Sequence, residues 1–318
     1  MNARCGAKLL KSSRILGIAV MIAALVGAFN HAATAQTLSV KQTRPFVINS
    51  EPGATVFIDG VRFGQADESG NLTIRTLTAG RHILRIRADG FKETEMPLIV
   101  PQGDKKVALA KTSDPAELAF QEAERLTTQD RDKASEAYRK AIKLRPGYVA
   151  AYIGLARTLS ESGDHDGALK TIRDLRRTSP QNAEASAVEG RVYRDSGDEI
   201  KAIAAFKRAI TQGHGFQPEA YTGLGLLYKE KAEGSGSNLA DETANYNEAA
   251  KYLTAGLKQL SGAPDAVVLY QLLGLVYERQ KRYEDAIRLY NEFLAIFPDS
   301  NDAPAVRSFI EQIKKQMP

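Results

Sequence analysis

The chain is poor in the residue types that most often carry out chemistry. Its 318 residues include one cysteine, no tryptophan and four histidines. A lone cysteine, Cys5, cannot form a disulfide within the chain. The histidines beyond the N-terminal segment, His82, His165 and His214, lack the His-x-x-x-His or Glu-x-x-His spacing that is typical of metal sites.

Sequence motifs of catalysis are also missing. The chain has no Gly-x-Ser-x-Gly segment, which is typical of a hydrolase nucleophile. The Gly-x-Gly of "GLGLLY" at 223–228 lies within a helical pattern and follows no strand, so it is not typical of a phosphate-binding loop. We therefore predict a non-enzymatic protein with no metal and no cofactor.

The first 35 residues have the pattern of an export signal. The charged residues of this leader are all basic: Arg4, Lys8, Lys11 and Arg14. An uncharged apolar run of 15 residues follows at 15–29, whereas a membrane-spanning helix needs about 20. Small residues at Ala33 and Ala35 are typical of a signal-peptidase site. We interpret residues 1–35 as a signal peptide cleaved after Ala35, with an uncleaved membrane anchor as the alternative. Either interpretation places the rest of the chain outside the cytoplasm, in the periplasm or cell envelope.

Most of the net charge belongs to the leader. The whole chain has a formal net charge of +5, and removing the four basic residues of the leader leaves about +1. A nearly neutral chain is not typical of proteins that bind nucleic acid, because these present basic surfaces. We therefore predict no nucleic-acid partner and, after cleavage of the leader, no membrane-spanning segment.

Residues 45–112 alternate between apolar and polar side chains in short runs. Val56 and Ile58 share one face of such a run, and Leu84 and Ile86 share one face of another. Dipeptides that favour turns separate the runs: Asp59-Gly60, Ser69-Gly70, Ala79-Gly80 and Asp89-Gly90. A period of two with regular turns is typical of half-buried strands. The segment is predicted to be a small antiparallel β-sandwich that follows a linker at 36–44.

The same segment resembles a known family. The stretches "SEPGATVFIDGVRFG" and "LTAGRHILRIRADGF" are similar to the PEGA domain of exported bacterial proteins. The pieces that carry the resemblance are Pro52-Gly53-Ala54, Ile58-Asp59-Gly60, Gly80-x-His82 and Gly90-Phe91. One departure is that Glu51 precedes Pro52, whereas the usual motif has Glu after Pro. The resemblance implies a non-catalytic module and does not supply a ligand.

Residues 115–300 repeat with a period of about 34. Pro146 and Pro180 are 34 residues apart. Three segments share one spacing: Tyr152-x-x-Leu155-Ala156, Tyr221-x-x-Leu224-Gly225 and Tyr270-x-x-Leu273-Gly274. The pattern resembles tetratricopeptide (TPR) repeats. We count five, at 115–148, 149–182, 183–216, 218–265 and 267–300.

The TPR resemblance predicts two antiparallel helices per repeat, stacked into a superhelix with one shared core. The fourth repeat has extra Gly/Ser-rich and polar residues at about 233–244. This insertion is predicted to loop out between the helices, as a flexible spacer or as a contact loop. Apolar residues at helical spacing within 302–318 predict a C-terminal capping helix.

In a TPR superhelix the first helices of the repeats line a groove. By the repeat register, its side chains are Ile153, Arg157, Arg191, Arg194, Thr222, Leu226, Lys229, Gln271 and Leu275. The three arginines are predicted to form a basic patch, and arginine can bind a carboxylate through two hydrogen bonds. An acidic or C-terminal peptide is therefore one predicted partner, and a solvated charged surface is the alternative. The Lys/Asn pattern with which chaperone-binding TPR domains hold a terminal carboxylate is absent.

The predicted fold class is α+β and multidomain, with a small antiparallel β-sandwich followed by an all-α TPR superhelix. The predicted function is an exported adaptor or scaffold of the bacterial cell envelope that binds protein partners through the groove and the PEGA-like domain. The alternative is a cell-wall or polysaccharide-binding protein, in which the β domain contacts glycan and the repeats recruit enzymes. Sugar-binding surfaces usually expose aromatic rings, so the absence of tryptophan disfavours this alternative.

Overall fold

The structure is a computed structural model that describes residues 44–317 except 102, 237 and 261. The predicted signal peptide at 1–35, and the predicted linker apart from Arg44, lie outside the described residues. The described part of the chain is a small β domain followed by a series of paired helices. The predicted fold class is confirmed.

The β domain contains two sheets that share one hydrophobic core. Its strands are β1 (Phe46–Asn49), β2 (Thr55–Ile58), β3 (Val61–Gln65), β4 (Asn71–Ile74), β5 (Gly80–Arg87), β6 (Thr94–Val100) and β7 (Lys105–Lys106). One sheet has the strand order β4-β1-β7, and the other has the order β3-β2-β5-β6. Neighbouring strands run antiparallel, except for the parallel pair of β1 and β7.

Alternation along the strands explains how these sheets pack. Val56 and Leu84 point into the core and are fully buried, whereas Ile83 and Arg85 lie on the opposite face of the sheet. The turn between β2 and β3 has positive φ at Asp59 and Gly60, 51° and 80°. A two-residue turn that matches the twist of a hairpin needs positive φ at both positions, which favours Asp-Gly.

The helices form five successive pairs and one final helix among the described residues. They are α1 (Pro115–Leu126), α2 (Arg131–Leu144), α3 (Val149–Glu161), α4 (His165–Arg176), α5 (Ala183–Asp195), α6 (Glu199–Gln212), α7 (Pro218–Glu233), α8 (Leu239–Leu260), α9 (Ala266–Arg279), α10 (Tyr283–Ile296) and α11 (Ala303–Gln316). None of the described helices is both long and apolar enough to cross a membrane.

Short polar side chains set where many of these helices begin. Asp164 accepts a hydrogen bond from the backbone N–H of Gly167, and Asp198 accepts one from Lys201. Gly163 and Gly197 come directly before these aspartates and have φ values of 83° and 82°. A left-handed glycine ends one helix, and a capping aspartate starts the next. The Gly-Asp pair therefore makes the tight turn inside the second and third repeats.

Small residues let the two helices of each repeat approach closely. A Cβ atom at Gly190 would lie 2.5 Å from the ring of Phe206, and a Cβ atom at Gly274 would overlap the ring of Tyr290. On the second helix of the third repeat, Ala202 is fully buried at the contact, whereas Ala204 is exposed. Such close packing is sensitive to added volume.

The extra residues of the fourth repeat lengthen a helix. The helix α7 continues to Glu233, and α8 begins at Leu239 and runs for 22 residues. The prediction that 233–244 loops out is therefore wrong for residues 239–244. Most residues of "LADETA" are compatible with a helix, and Asn238 accepts a hydrogen bond from the N–H of Asp241 at the helix start. The Gly/Ser-rich composition is confined to the residues before Leu239.

Candidate partner-binding groove

The first helices of successive pairs contact one another and form a continuous surface. The contacts run from α3 to α5, from α5 to α7 and from α7 to α9. We call this surface, together with α1, the groove. The repeat pattern gives the first helices of the second to fifth repeats a small residue at one position, namely Ala156, Gly190, Gly225 and Gly274, from which equivalent positions can be counted. Arg157, Arg191, Leu226 and Leu275 each follow that residue directly.

The predicted groove residues differ in how accessible they are. Ile153 is buried in the core between the first and third pairs and is not available to a partner. Thr222, Leu226 and Lys229 on α7 are half-buried. Gln271 and Leu275 on α9 are exposed.

The arginines of the groove are engaged by carboxylates of the same chain. Nη2 of Arg157 lies 2.5 Å from Oε2 of Glu219 and 3.2 Å from Oε1 of Glu184. Nη2 of Arg191 lies 2.9 Å from Oε1 of Glu219, and its Nη1 lies 3.8 Å from Oε1 of Glu161. We call these two arginines and three glutamates the ion cluster. It connects α3, α5 and α7.

The three arginines therefore do not form an open basic patch. Glu161 of the ion cluster also pairs with Arg131 at 3.8 Å, so the positive and negative charges balance, and Arg194 is paired with Asp195 at 2.8 Å. An acidic peptide would meet a surface whose positive charges are already neutralised. The sequence reasoning missed Glu219 because it lies 62 residues from Arg157 and only the stacking of three helices brings them together.

Burial and the neighbouring charges shift the pKa values of Glu219 and Arg157 in opposite directions. Burial by itself raises the pKa of Glu219, but the guanidinium groups of Arg157 and Arg191 outweigh it and hold that pKa below its ordinary value. Burial by itself lowers the pKa of Arg157, and the carboxylates of Glu219 and Glu184 overcome this and raise it. The charges of Glu219 and Arg157 thus stabilise each other although both groups are partly buried.

The groove is open at α7 and α9. We call this part the open section; its residues are Thr222, Leu226, Lys229, Val268, Gln271 and Leu275. Val268 is 52% exposed and Leu275 is 47% exposed, and their spacing of seven residues places them on the same face of α9. Val268 was not among the predicted residues. Val268 lies six residues before Gly274, just as Glu219 lies six residues before Gly225. This equivalent position in the repeat could have identified Val268 as a groove residue.

The β domain covers the opposite end of the groove, at α1. Arg87 of β5 is paired with Glu93 and with Glu124 of α1 at 2.5 Å each, and its guanidinium lies 4.5 Å from the centre of the Phe120 ring. Gln121 of α1 also accepts a hydrogen bond from the N–H of Gly90. Counted from the small residue Ala123, Phe120 and Glu124 are equivalent to Ile153 and Arg157. The β domain therefore occupies groove positions of the first repeat.

A second contact joins the β domain to the fourth and fifth repeats. Arg75 pairs with Asp299 beyond α10 at 2.6 Å, with both side chains largely exposed. Gly262, beyond α8, lies so close to Thr76 that an added Cβ atom would overlap the threonine hydroxyl. Phe216 and Lys258 line a small crevice with Leu77 and His82 of the β domain. These contacts involve the ends of helices and leave the open section uncovered.

Both ring nitrogens of the buried His82 lie within hydrogen-bond distance of other groups of the β domain. Nδ1 of His82 lies 2.6 Å from a carboxylate oxygen of Asp59, and Nε2 lies 2.9 Å from the backbone oxygen of Thr78. The ring thus connects the β2–β3 turn to the segment before β5. Across the described residues, no group of three or more histidine, aspartate, glutamate or cysteine side chains is arranged to hold a metal ion.

Comparison with protein families agrees with this architecture. Residues 45–112 match the model of the PEGA domain. Residues 125–192 and 237–301 match two models described as tetratricopeptide repeat. The chain therefore contains a PEGA domain at 45–112, followed by tetratricopeptide repeats at 125–192 and 237–301. TPR repeats indicate a protein-interaction scaffold, which is the coarse function of this PEGA–TPR chain.

Known proteins resemble the repeat part of this PEGA–TPR chain. The small glutamine-rich tetratricopeptide repeat-containing protein 2 of Mycosarcoma maydis is 26% identical over 120 residues, which are 38% of this chain and 34% of that protein. The chain thus spans about a third of the length of this curated relative.

Solved structures resemble part of this chain. Yeast Tom70 matches with a TM-score of 0.52 and 19% identity, over 64% of this chain and 41% of Tom70. A thermophilic TPR protein of Thermus thermophilus matches with a TM-score of 0.46 and 18% identity, over 62% of this chain and 98% of that one. At these identities the likeness concerns the fold alone.

Proposed function

We propose that this PEGA–TPR chain is an exported, non-enzymatic adaptor of the bacterial cell envelope that binds protein partners through the open section of its groove. The observation that carries the proposal is the exposure of Val268 and Leu275 on a surface that the TPR fold uses for protein interaction. Exposed aliphatic side chains grouped on one surface favour an interaction site. The first repeats contribute less, because the β domain covers α1 and the ion cluster occupies α3 and α5.

The proposed location rests on the leader and on the PEGA resemblance. A basic head, a short apolar run and the small residues before Gln36 are the features of a secretory signal. The test is cell fractionation together with N-terminal sequencing of the purified protein. We expect a chain that begins at Gln36 in the envelope or periplasmic fraction. A chain that keeps residues 1–35 in the membrane would favour the anchor, and a chain in the cytoplasm would reject export.

Partner binding is tested by capture from envelope extracts. The baits are the wild-type chain, Leu275→Asp in the open section, and Ile200→Asp as the matched control. Ile200 is 82% exposed on the second helix α6, away from the groove. We expect the Ile200→Asp bait to retain the same proteins as the wild type and the Leu275→Asp bait to lose them. Equal retention by all three baits would move the binding site out of the open section.

A further inference from the structure

The chemistry of the groove changes between the third and fifth repeats. One row consists of the residues that follow the small residue of each first helix, namely Arg157, Arg191, Leu226 and Leu275. A second row consists of the residues six positions before it, namely Glu184, Glu219 and Val268. The first row is charged in the second and third repeats, and the second row is charged in the third and fourth repeats. Both are aliphatic by the fifth repeat.

The two rows face each other across neighbouring helices. In the charged part, Arg191 of α5 is paired with Glu219 of the next first helix at 2.9 Å. By the same count of positions, Leu226 of α7 and Val268 of α9 are equivalent to Arg191 and Glu219. Along the groove, an ion pair between two residues of this chain is thus followed by two aliphatic side chains at the equivalent positions. Leu275, one residue after Gly274, extends this apolar strip.

We propose that the open section binds an uncharged, apolar peptide segment of a protein partner. This inference rests on the proposed function and names the chemistry of the partner. The segment places aliphatic or aromatic side chains on Leu226, Val268 and Leu275. Contact with a partner's apolar groups removes these side chains from water, which favours association.

Charge complementarity excludes an acidic segment as the occupant. The arginines of the adjacent ion cluster are already paired, and because Arg131 also pairs with Glu161, the three carboxylates of the cluster are balanced by three guanidinium groups. At the other side of the open section, Lys229 is paired with Glu233 at 2.8 Å. The exposed Glu230 and Arg279 add one charge of each sign. A carboxylate docked on this neutral surface would lose hydration and gain no net attraction.

The open section also offers hydrogen bonds to a peptide backbone. The amide of Gln271 is exposed, and it has no hydrogen-bond partner within the described part of the chain. It lies on the same helix as Val268 and Leu275, between them. An amide has both a donor and an acceptor, so it can pair with the backbone of a bound segment without requiring charge.

The test is selection of a random peptide library displayed on phage against the chain from Gln36 onward. We expect the selected peptides to contain at least two aliphatic or aromatic residues and no excess of Asp or Glu. Their binding is expected to fall at least about tenfold, roughly 1.4 kcal/mol, with Leu275→Asp and to stay unchanged with Ile200→Asp. It is also expected to change little with salt, because screening acts on charged contacts.

Other outcomes would overturn the inference. Selection of acidic peptides, or of peptides whose binding weakens with salt, would show that the open section binds its partner through charged contacts. Peptides whose binding Leu275→Asp leaves intact, or no selected peptide at all, would remove the open section as an apolar site. A dimer in sedimentation that Leu275→Asp dissociates would show that a second copy of the chain covers the strip. Capture from envelope extracts distinguishes a failure of this inference from a failure of the proposed function. If the Leu275→Asp bait loses partners although no apolar peptide is selected, the proposed function stands and only the inferred chemistry of the partner is wrong.

Discussion

Arg157 of α3 and Glu219 of α7 form an ion pair at 2.5 Å although two repeats of the chain separate them. Arg191 of α5 lies between the two helices and pairs with the other carboxylate oxygen. One carboxylate therefore holds the first helices of three consecutive repeats together. This contact is non-local in a fold whose stability is approximately a sum of nearest-neighbour terms.

Removing this carboxylate should destabilise the repeats. In Glu219→Gln the guanidinium groups of Arg157 and Arg191 lose their shared charge partner while staying partly buried. We expect the free energy of unfolding to fall by about 1–3 kcal/mol, less than for a fully buried pair because Arg157 remains 34% exposed. Urea unfolding followed by circular dichroism measures this. The control is Glu311→Gln on α11, whose pair with Lys314 is exposed, and equal midpoints for the two variants would contradict a role for the cluster.

The contribution of Glu219 should depend on pH. Its pKa in the folded chain is held below the ordinary value by the two arginines, so folding favours the ionised form. The stabilisation is fully present above the unfolded carboxylate pKa of about 4.3 and is lost as the pH falls through the lower folded value. Wild type and Glu219→Gln should therefore differ in unfolding midpoint at pH 7, and the difference should shrink as the pH falls below about 4.3. A difference that stays constant down to pH 3 would show that charge is not the cause.

The third repeat offers a matched pair of packing variants. Ala202 is fully buried where α6 meets α5, and Ala204 is exposed two residues later on the same helix. Ala202→Leu should overpack the contact and cost about 1–3 kcal/mol, whereas Ala204→Leu should change stability little. Thermal unfolding of the two variants side by side measures the difference. Similar melting temperatures would undermine the assignment of Ala202 to the helix contact.

Arg87 should control how firmly the β domain holds α1. Its side chain pairs with Glu93 and Glu124 and stacks on the rings of Phe57 and Phe120. We expect Arg87→Ala to cost about 1–3 kcal/mol and to separate calorimetric unfolding into two transitions, one for each domain. Proteolysis between the domains, near residue 113, should also become faster.

The control for Arg87 is Arg62→Ala on the exposed face of β3. It removes the same charge from the same domain but has no ion pair among the described residues. A single transition and unchanged proteolysis in Arg87→Ala, as in Arg62→Ala, would show that other contacts are sufficient to hold the β domain.

Much of the architecture could be predicted from local patterns. Alternating residues such as Leu84 and Ile86, with Asp59-Gly60 at a turn, specify strands and a hairpin because side-chain period and turn geometry are properties of a few neighbouring residues. Gly163-Asp164 and Gly197-Asp198 specify the turns between helices for the same reason. The structure of the insertion in the fourth repeat was harder to predict. Glycine and serine before Leu239 suggested a loop, whereas the residues that follow extend α8.

The amino-acid sequence by itself thus determined the order of strands and helices, the period of the repeats and the face of each first helix that lines the groove. Only the tertiary structure decided which of those groove residues remain accessible. Stacking brings Glu219 to Arg157 and Arg191, and docking of Arg87 covers Phe120, so that the charged and N-terminal parts of the groove are satisfied internally. These partners lie on different elements, and a local pattern cannot specify which distant side chain neutralises or covers a residue. The aliphatic strip at Val268 and Leu275 stays exposed because no described segment of the chain packs over it.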